Sequence, residues 1–175
     1  MRLFIAIGFN ELRDYLIELQ QQLQKNAKLS LTKAFHLTLK FLGKIQPNDA
    51  DEVVDILKKI KFQSFSVHLG PIGIFPTENY IRVVWVGLNP EDKVLELQKG
   101  IDESLKLPFK KEKDFKAHIT LARVKYPEDK KMFLEELKKI KVESRKVEVN
   151  DFRLVKSTLA PKGPVYEDLA VFTPY

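Results

Sequence analysis

The chain has 175 residues, of which 44% are hydrophobic and 31% charged, and it contains no cysteine. This length and composition indicate one globular domain, or two small lobes packed together, and they exclude disulfide bonds and thiolate metal sites. The 30 basic and 24 acidic residues give a net charge of +6. This charge favours an anionic partner only weakly, because many lysines stand beside glutamates and solvate helix faces.

Membrane and export signals are missing from the sequence. No apolar segment reaches the roughly 20 residues that a membrane-spanning helix needs. The N-terminal apolar run is too short, and too soon interrupted by polar residues, for a secretory signal. We therefore expect a cytoplasmic protein that does not contact a membrane. Nothing in the sequence demands more than a monomer or implies an obligate protein partner.

Apolar periodicity predicts the first elements in chain order. Residues 2–8 are almost all apolar, which predicts a strand buried on both faces. A helix follows, with Asn10 as its N-cap. The apolar stripe of this helix consists of four leucines: Leu12, Leu16, Leu19 and Leu23. A strand over 35–42 and a helix over about 49–60 come next.

The middle of the chain continues the alternation of strands and helices. Apolar and polar residues alternate over 65–69, which predicts a half-buried strand that ends at Gly70 and the following proline. Residues 81–87 predict another apolar strand, in which we expect Trp85 to pack in the core. The Asn-Pro pair at 89–90 predicts the start of a helix. Its apolar residues are Val94, Leu97, Ile101 and Leu105.

The last part of the chain contains one more helix among strands. We predict a strand over 117–124, followed by a helix that opens at residues 126–128. The apolar residues of this helix are Phe133, Leu137 and Ile140. Strands over about 145–156 and 165–173 complete the predicted fold.

The two halves of the sequence resemble each other. Ile7-Gly8-Phe9-Asn10 corresponds to Val86-Gly87-Leu88-Asn89, and each half runs strand, helix, strand, helix, strand. We interpret this as an internal duplication, with halves at roughly 1–79 and 80–175 of a single bilobal domain spanning 1–175. The alternating strands favour an α+β fold rather than a doubly wound sheet. We expect two pseudo-symmetric lobes of antiparallel strands flanked by helices, with the active cleft between them.

Each half carries a histidine followed two places later by a threonine. His36 and Thr38 form the first pair, and His118 and Thr120 form the second. Side chains alternate along a strand, so each histidine and threonine face one side while the aliphatic residues between them face the other. Only three histidines occur in the chain. A matched pair in matched halves therefore indicates one site built by both lobes.

Two facing imidazoles suit substitution at phosphorus. Histidine titrates near neutral pH, so one ring can accept a proton while the other donates one. The hydroxyls of Thr38 and Thr120 can donate hydrogen bonds to the oxygens of a phosphate held between the lobes. A metal centre is disfavoured, because the chain lacks cysteine, a His-Glu-x-x-His segment and any carboxylate inside the motifs. A Gly-x-Ser-x-Gly elbow and glycine-rich nucleotide loops are also missing, so we expect no cofactor.

These segments resemble the two-histidine (2H) phosphoesterase superfamily, specifically the RNA 2′,3′-cyclic phosphodiesterases, first named 2′-5′ RNA ligases. The resemblance spans nearly the whole chain and is carried by residues 2–7, 36–43, 82–88, 118–123 and 157–166. It implies metal-independent hydrolysis of a 2′,3′-cyclic phosphate, at a tRNA-like or other RNA end, to a 2′-phosphomonoester. By the same resemblance His118 is the proton acceptor and His36 the proton donor.

The resemblance also implies residues beyond the two motifs. Family members carry an arginine five places after the second histidine, here Arg123, which would bind the phosphate. Strict alternation puts Arg123 on the core face, so it must follow a bulge, extend around the strand or serve the structure instead. Lys156, Lys162 and Tyr166 lie on a C-terminal turn that the family places near the cleft, which makes them candidate RNA contacts.

Other readings are also consistent with the sequence. The protein could join tRNA halves through a 2′-5′ linkage, which is the reverse chemistry at the same site. It could instead bind RNA or a nucleotide in the cleft without catalysis, with a salt-sensitive affinity. The basic run at 106–116, with its interleaved phenylalanines, is either an RNA contact or a solvated loop.

Overall fold

Nine strands form two antiparallel sheets, and four α-helices pack with them around one apolar core. The computed structural model describes all residues, 1–175. The strands are β1 (Arg2–Gly8), β2 (Ala27–Leu31), β3 (His36–Lys44), β4 (Phe65–Thr77), β5 (Tyr80–Asn89), β6 (His118–Pro127), β7 (Lys146–Val149), β8 (Phe152–Ala160) and β9 (Gly163–Phe172). The helices are α1 (Arg13–Gln22), α2 (Pro47–Leu57), α3 (Asp92–Ser104) and α4 (Lys130–Lys139). The predicted α+β class is confirmed. None of the helices is both long and apolar enough to cross a membrane.

The two sheets place the two histidine strands in equivalent positions. Sheet A has the strand order β3-β1-β8-β9, and sheet B has the order β2-β6-β5-β4-β7. In sheet A, Gly8 of β1 lies opposite His36 of β3. In sheet B, Gly87 of β5 lies opposite His118 of β6. The same glycine–histidine pairing in both sheets gives the lobes their pseudo-symmetry.

Each sheet contains strands from both halves of the sequence. Strand β4, from the first half, pairs with β5 in sheet B, whereas β8, from the second half, pairs with β1 in sheet A. Strand β2 also crosses over to pair with β6. Neither sequence half therefore contains a complete sheet. The duplication with halves at 1–79 and 80–175 stays a prediction about the sequence.

The apolar stripes predicted from the sequence form the core. The four leucines of the first helix are buried, as are the four apolar residues predicted for α3. Phe133 and Leu137 of α4 are buried as well, and Ile140 packs against the core at its edge. Burial of each large aliphatic side chain contributes about 1.5–3 kcal/mol, so these stripes hold the helices on the sheets.

Several predicted boundaries in the first half and middle are wrong. Asn10 starts a short 3-10 turn, and its side chain caps nothing, so α1 begins only at Arg13. Strand β4 does not end at Gly70 but continues to Thr77, because an irregularity between Leu69 and Ile72 accommodates the proline in the ladder. The short strand β2 is not predicted from the sequence.

The remaining boundary errors lie in the second half. Asn89 is the last residue of β5, opposite His68, so α3 starts at Asp92 and not at the Asn-Pro pair. Residues 126–127 end β6 and do not open a helix. Helix α4 is instead capped by Asp129, whose carboxylate accepts a hydrogen bond from the Met132 amide. The strand predicted over 145–156 is two strands, β7 and β8, in different sheets.

Gly100 offers a direct test of the α3 assignment. It lies exposed inside the helix, and an added Cβ would meet no atom within 4 Å. We expect Gly100→Ala to raise the free energy of unfolding by about 0.5–1 kcal/mol, because alanine loses less backbone entropy in a helix. Urea denaturation measures the change. Gly43→Ala is the control and should lower stability, since Gly43 has φ +73°. No gain in Gly100→Ala would contradict the helix.

Candidate active site

The structure brings the two histidines together. His36 opens β3 and His118 opens β6, and both rings are partly buried. A positive charge on His118 lowers the pKa of His36. The two imidazoles, one from each sheet, therefore lie within electrostatic reach of each other.

Both histidine strands show the alternation expected from the sequence. In β3 the side chains of His36 and Thr38 are partly exposed, whereas the leucine after each is buried. In β6 His118 and Thr120 show the same pattern, with buried aliphatic residues between and after them. The polar side chains of each motif thus share one face of their sheet, and the aliphatic side chains share the core face.

A β-bulge determines where Arg123 lies. Ala122 of β6 is opposite Val84 of β5, but Thr120 is opposite the next residue, Trp85. The leucine between Thr120 and Ala122 is therefore an extra residue, and it is buried together with Ala122. The bulge reverses the alternation, so Arg123 is exposed on the face that carries Thr120. The structure thus supports the bulge among the three explanations offered for this arginine.

The same bulge occurs in the first histidine strand. Lys40 of β3 lies opposite Ile5 of β1, whereas Thr38 lies opposite Ala6, so the leucine between them is the extra residue. The residue that corresponds to Arg123 is Phe41, and its side chain is 68% exposed. Equivalent positions on the two strands thus present an aromatic ring from sheet A and a guanidinium from sheet B.

Aromatic rings surround both imidazoles, and the sequence motifs do not predict them. The His36 ring centroid lies 5.0 Å from Phe4 and 5.4 Å from Tyr166. The His118 ring centroid lies 4.9 Å from Phe75 and 5.9 Å from Trp85. These rings shield the imidazoles from water on one side.

Trp85 is not the core residue that we expected. Its side chain is partly exposed and lies on the face that carries Thr120, its partner across β5 and β6. The indole lies against Gly73 so closely that a Cβ there would be 2.2 Å from the ring. Residue 73 must therefore be glycine for this packing. Predicting the position of Trp85 requires the register of β5 against β6, which the sequence alone does not reveal.

Burial lowers the pKa values of both histidines. The pKa of His36 falls from 6.5 to about 4, chiefly because of burial and in part because of the charge on His118. Burial also lowers the pKa of His118, although a hydrogen bond to the Lys116 carbonyl opposes this. In the free protein both rings are therefore predominantly neutral at pH 7.

One hydrogen bond distinguishes the two rings. Nδ1 of His118 lies 2.7 Å from the carbonyl oxygen of Lys116. A carbonyl only accepts, so Nδ1 carries the proton and, in the neutral ring, Nε2 carries the lone pair. No equivalent bond restrains His36. The structure thus gives His118 one tautomer, with a basic nitrogen at the other end of the ring.

Of the three candidate RNA contacts, Tyr166 is the one that adjoins a motif histidine, His36. Burial raises the pKa of its hydroxyl, and the charge of Arg123 opposes that shift, so Tyr166 of sheet A and Arg123 of sheet B lie near each other. Lys156 is the neighbour of Ser157, the residue opposite Tyr166 in β8 and β9, so it lies on the other face of sheet A. Lys162 lies in the turn between these strands, and its carbonyl accepts a hydrogen bond from Lys33.

Three of the five lysines in the basic run at 106–116 pair with acidic side chains. Lys106 and Lys111 both pair with Glu103 of α3. Lys116 pairs with Glu91, which precedes the same helix. These pairs favour a loop fastened to α3 over an RNA contact. No group of three or more His, Asp or Glu side chains has the arrangement of a metal site.

Comparisons with known proteins agree with this geometry. The family model described as LigT like Phosphoesterase matches two consecutive segments of the chain, residues 7–85 and 86–166. A relative from Methanocaldococcus jannaschii, named RNA 2′,3′-cyclic phosphodiesterase, is 37% identical over 171 residues, which cover 95% of this chain and 97% of the relative. A relative of the same name from Archaeoglobus fulgidus is 36% identical, and the match covers 98% of this chain and 99% of the relative.

Solved structures show the same fold. The crystal structure of a protein from Thermus thermophilus superposes with a TM-score of 0.81 at 29% identity, covering 99% of this chain and 97% of that chain. The apo form of LigT from E. coli superposes with a TM-score of 0.78 at 22% identity. It covers 99% of this chain and 96% of that chain, and its likeness concerns the fold.

The coupling of the two imidazoles can be measured by NMR titration of the histidine Hε1 signals. We expect His36 to titrate near pH 4. In His118→Gln the positive charge is lost, so the pKa of His36 should rise but stay below 6.5, because burial is the larger cause. His68→Gln assigns the third signal and should leave His36 unchanged. A His36 pKa that His118→Gln does not move would contradict the proximity of the rings, and a His36 pKa near 6.5 would contradict the burial of this ring.

Proposed function

The chain belongs to the LigT-like phosphoesterase family, within the 2H phosphoesterase superfamily, and we propose that it hydrolyses 2′,3′-cyclic phosphates at RNA ends. The product would be a 2′-phosphomonoester, and the reaction would need no metal ion. The observation that carries the proposal is the pair of imidazoles within electrostatic reach of each other, of which His118 has a fixed tautomer with its lone pair on Nε2. The curated relatives named for this activity support it.

In the proposed reaction His118 is the general base. Its Nε2 takes a proton from water, and the water oxygen forms a bond to phosphorus opposite the bond to O3′. The P–O3′ bond breaks, and His36 gives its proton to the leaving O3′. Each imidazole thus completes one proton transfer, and the next cycle requires their protonation states to be restored.

The low pKa of His36 must be reconciled with its role as a proton donor. In the free protein His36 is neutral at pH 7, since its pKa is about 4. A bound phosphodiester carries a negative charge, which favours the protonated form and raises the pKa. We therefore infer that the substrate itself charges His36. The negative charge of the bound phosphate thus opposes the burial and the His118 charge that hold the pKa of His36 low in the free protein.

The remaining roles follow from the faces on which the side chains lie. Thr38 and Thr120 share the faces of the histidines, and we assign their hydroxyls to the phosphoryl oxygens. Arg123 would supply positive charge as the negative charge on those oxygens grows. Tyr166 would contact the RNA beside His36. Lys156 has no role in the proposed reaction, because it lies on the other face of sheet A. The cytoplasmic location and the monomeric state expected from the sequence stay predictions.

The deciding assay uses RNA ending in a 2′,3′-cyclic phosphate, incubated with the protein in EDTA. We expect a 2′-phosphate product, and we expect His36→Ala and His118→Ala each to lower kcat by about 10²–10⁴-fold. His68→Ala is the matched control, because this third histidine lies in β4 opposite Asn89, and it should keep wild-type activity.

Four outcomes would overturn the assignment. Retained activity in either catalytic histidine variant would remove that residue from the mechanism, and activity abolished by EDTA would imply a metal. A 2′-5′-linked product with added 5′-hydroxyl RNA would identify ligation as the reaction. Salt-sensitive RNA binding without turnover, surviving both histidine changes, would identify a binding protein.

The pH profiles provide a second test. The quantity kcat/KM reports the free enzyme, in which burial lowers the pKa values of both histidines, so its optimum should lie below pH 6.5. The quantity kcat reports the complex, in which the bound anion raises the pKa of His36, so its bell-shaped optimum should lie at higher pH. Initial rates from about pH 4 to 9 measure both. Coincident optima would contradict charging of His36 by the substrate.

A further inference from the structure

Lys40 is a buried lysine that the proposed reaction does not use. The bulge in β3 turns it toward the core, and its side chain is 0% exposed. Its Nζ lies 2.5 Å from Oδ1 of Asp102 in α3 and 2.5 Å from the carbonyl oxygen of Lys110. The equivalent position in β6 is Ala122, so sheet B has no counterpart to this ion pair.

Asp102 fastens the same stretch of backbone from the other side. Both of its carboxylate oxygens lie 3.1 Å from the amide nitrogen of Glu112, which donates to them. Together Lys40 and Asp102 hold the Lys110 carbonyl and the Glu112 amide, two backbone groups of one short segment. These directional bonds fix residues 110–112 relative to β3 and α3.

This segment leads directly to the second histidine. It runs along α3 from residue 110 to 117, and the side chain of Lys116 pairs with Glu91 at the other end of the helix. Within it Asp114 has φ +54°, a conformation that a non-glycine residue keeps only where the surroundings hold it. At its end the Lys116 carbonyl accepts the Nδ1 proton of His118.

Stability alone does not account for a buried lysine and aspartate. Removing two charges from water costs several kcal/mol per ion, and apolar residues of similar volume often stabilise a core as well or better. The ion pair instead orients the backbone, because Lys40 donates to the Lys110 carbonyl and Asp102 accepts from the Glu112 amide. Both backbone groups lie in the segment whose Lys116 carbonyl accepts the Nδ1 proton of His118.

We propose that Lys40 and Asp102 are positioning residues for His118. The ion pair links the first histidine strand to the segment that orients the second histidine, so that one network sets both walls of the cleft. This inference rests on the proposed function only for the catalytic role of His118. The orientation of the His118 ring itself is independent of any substrate.

The test replaces the ion pair by apolar residues in Lys40→Met/Asp102→Leu. We expect this double variant to fold, since its side chains can pack without the desolvation cost. Long-range ¹H–¹⁵N NMR at neutral pH should show His118 changing from the single Nδ1–H tautomer to a mixture. The misplaced ring should lower kcat by about tenfold or more, with KM nearly unchanged because the phosphate-binding side chains are intact.

Lys111→Met is the matched control. Lys111 lies in the same segment and pairs with Glu103 of the same helix, but both side chains are exposed. Loss of this exposed pair should leave the His118 tautomer unchanged and kcat within about twofold.

The outcomes separate this inference from the proposed function. A folded double variant with an unchanged His118 tautomer and unchanged kcat would overturn the positioning role. Wild-type protein without hydrolytic activity would refute the proposed function, whereas the tautomer measurement would still decide the positioning. If the double variant does not fold, Asp102→Asn replaces it in the test. This variant keeps the side-chain volume and removes the charge, and we expect the same change in the His118 tautomer.

Discussion

The composition of the cleft depends on the bulge at Leu39 in β3 and the matching bulge at Leu121 in β6. Without these bulges, strict alternation would send Arg123 into the core and turn Lys40 toward the cleft. With them, Arg123 and Phe41 face the cleft while Lys40 and Ala122 are buried. The histidines and threonines precede the bulges and keep their faces. The bulge therefore selects which side chains accompany each imidazole.

The pseudo-symmetric scaffold thus carries an asymmetric site. Corresponding positions hold an arginine in sheet B and a phenylalanine in sheet A, and a buried lysine in sheet A has alanine as its counterpart. Of these positions, the one on the wall of His118 presents a positive charge to the cleft. The wall of His36 is aromatic, with Phe4 and Tyr166 against the ring. In the proposed reaction this difference between the walls would give a bound cyclic phosphate a preferred orientation, which a symmetric cleft would lack.

The sequence predicts what depends on local periodicity and misses what depends on distant partners. The leucines of α1 and the aliphatic faces of the histidine strands recur at helix and strand periods, so their burial follows from the sequence. Asn10 and Asn89 have the composition of helix caps, but strand pairing and a 3-10 turn set those boundaries instead. The exchange of β4 and β8 between sheets, and the aromatic ring of Trp85 in the cleft, follow from register, which composition does not encode.

The proposed roles of acid and base require a physical difference between the two imidazoles, because two adjacent rings cannot easily carry charge at once. Burial and mutual repulsion lower the pKa of His36, but both rings are buried to some degree, so burial alone does not assign the roles. The carbonyl of Lys116 does, since it gives His118 a fixed lone pair on Nε2. That carbonyl belongs to the segment between α3 and β6, whereas the corresponding connection before β3 includes strand β2 and supplies no such bond to its histidine. The pseudo-symmetry is therefore broken in the connections that precede the histidine strands, and in the proposed reaction this difference separates base from acid.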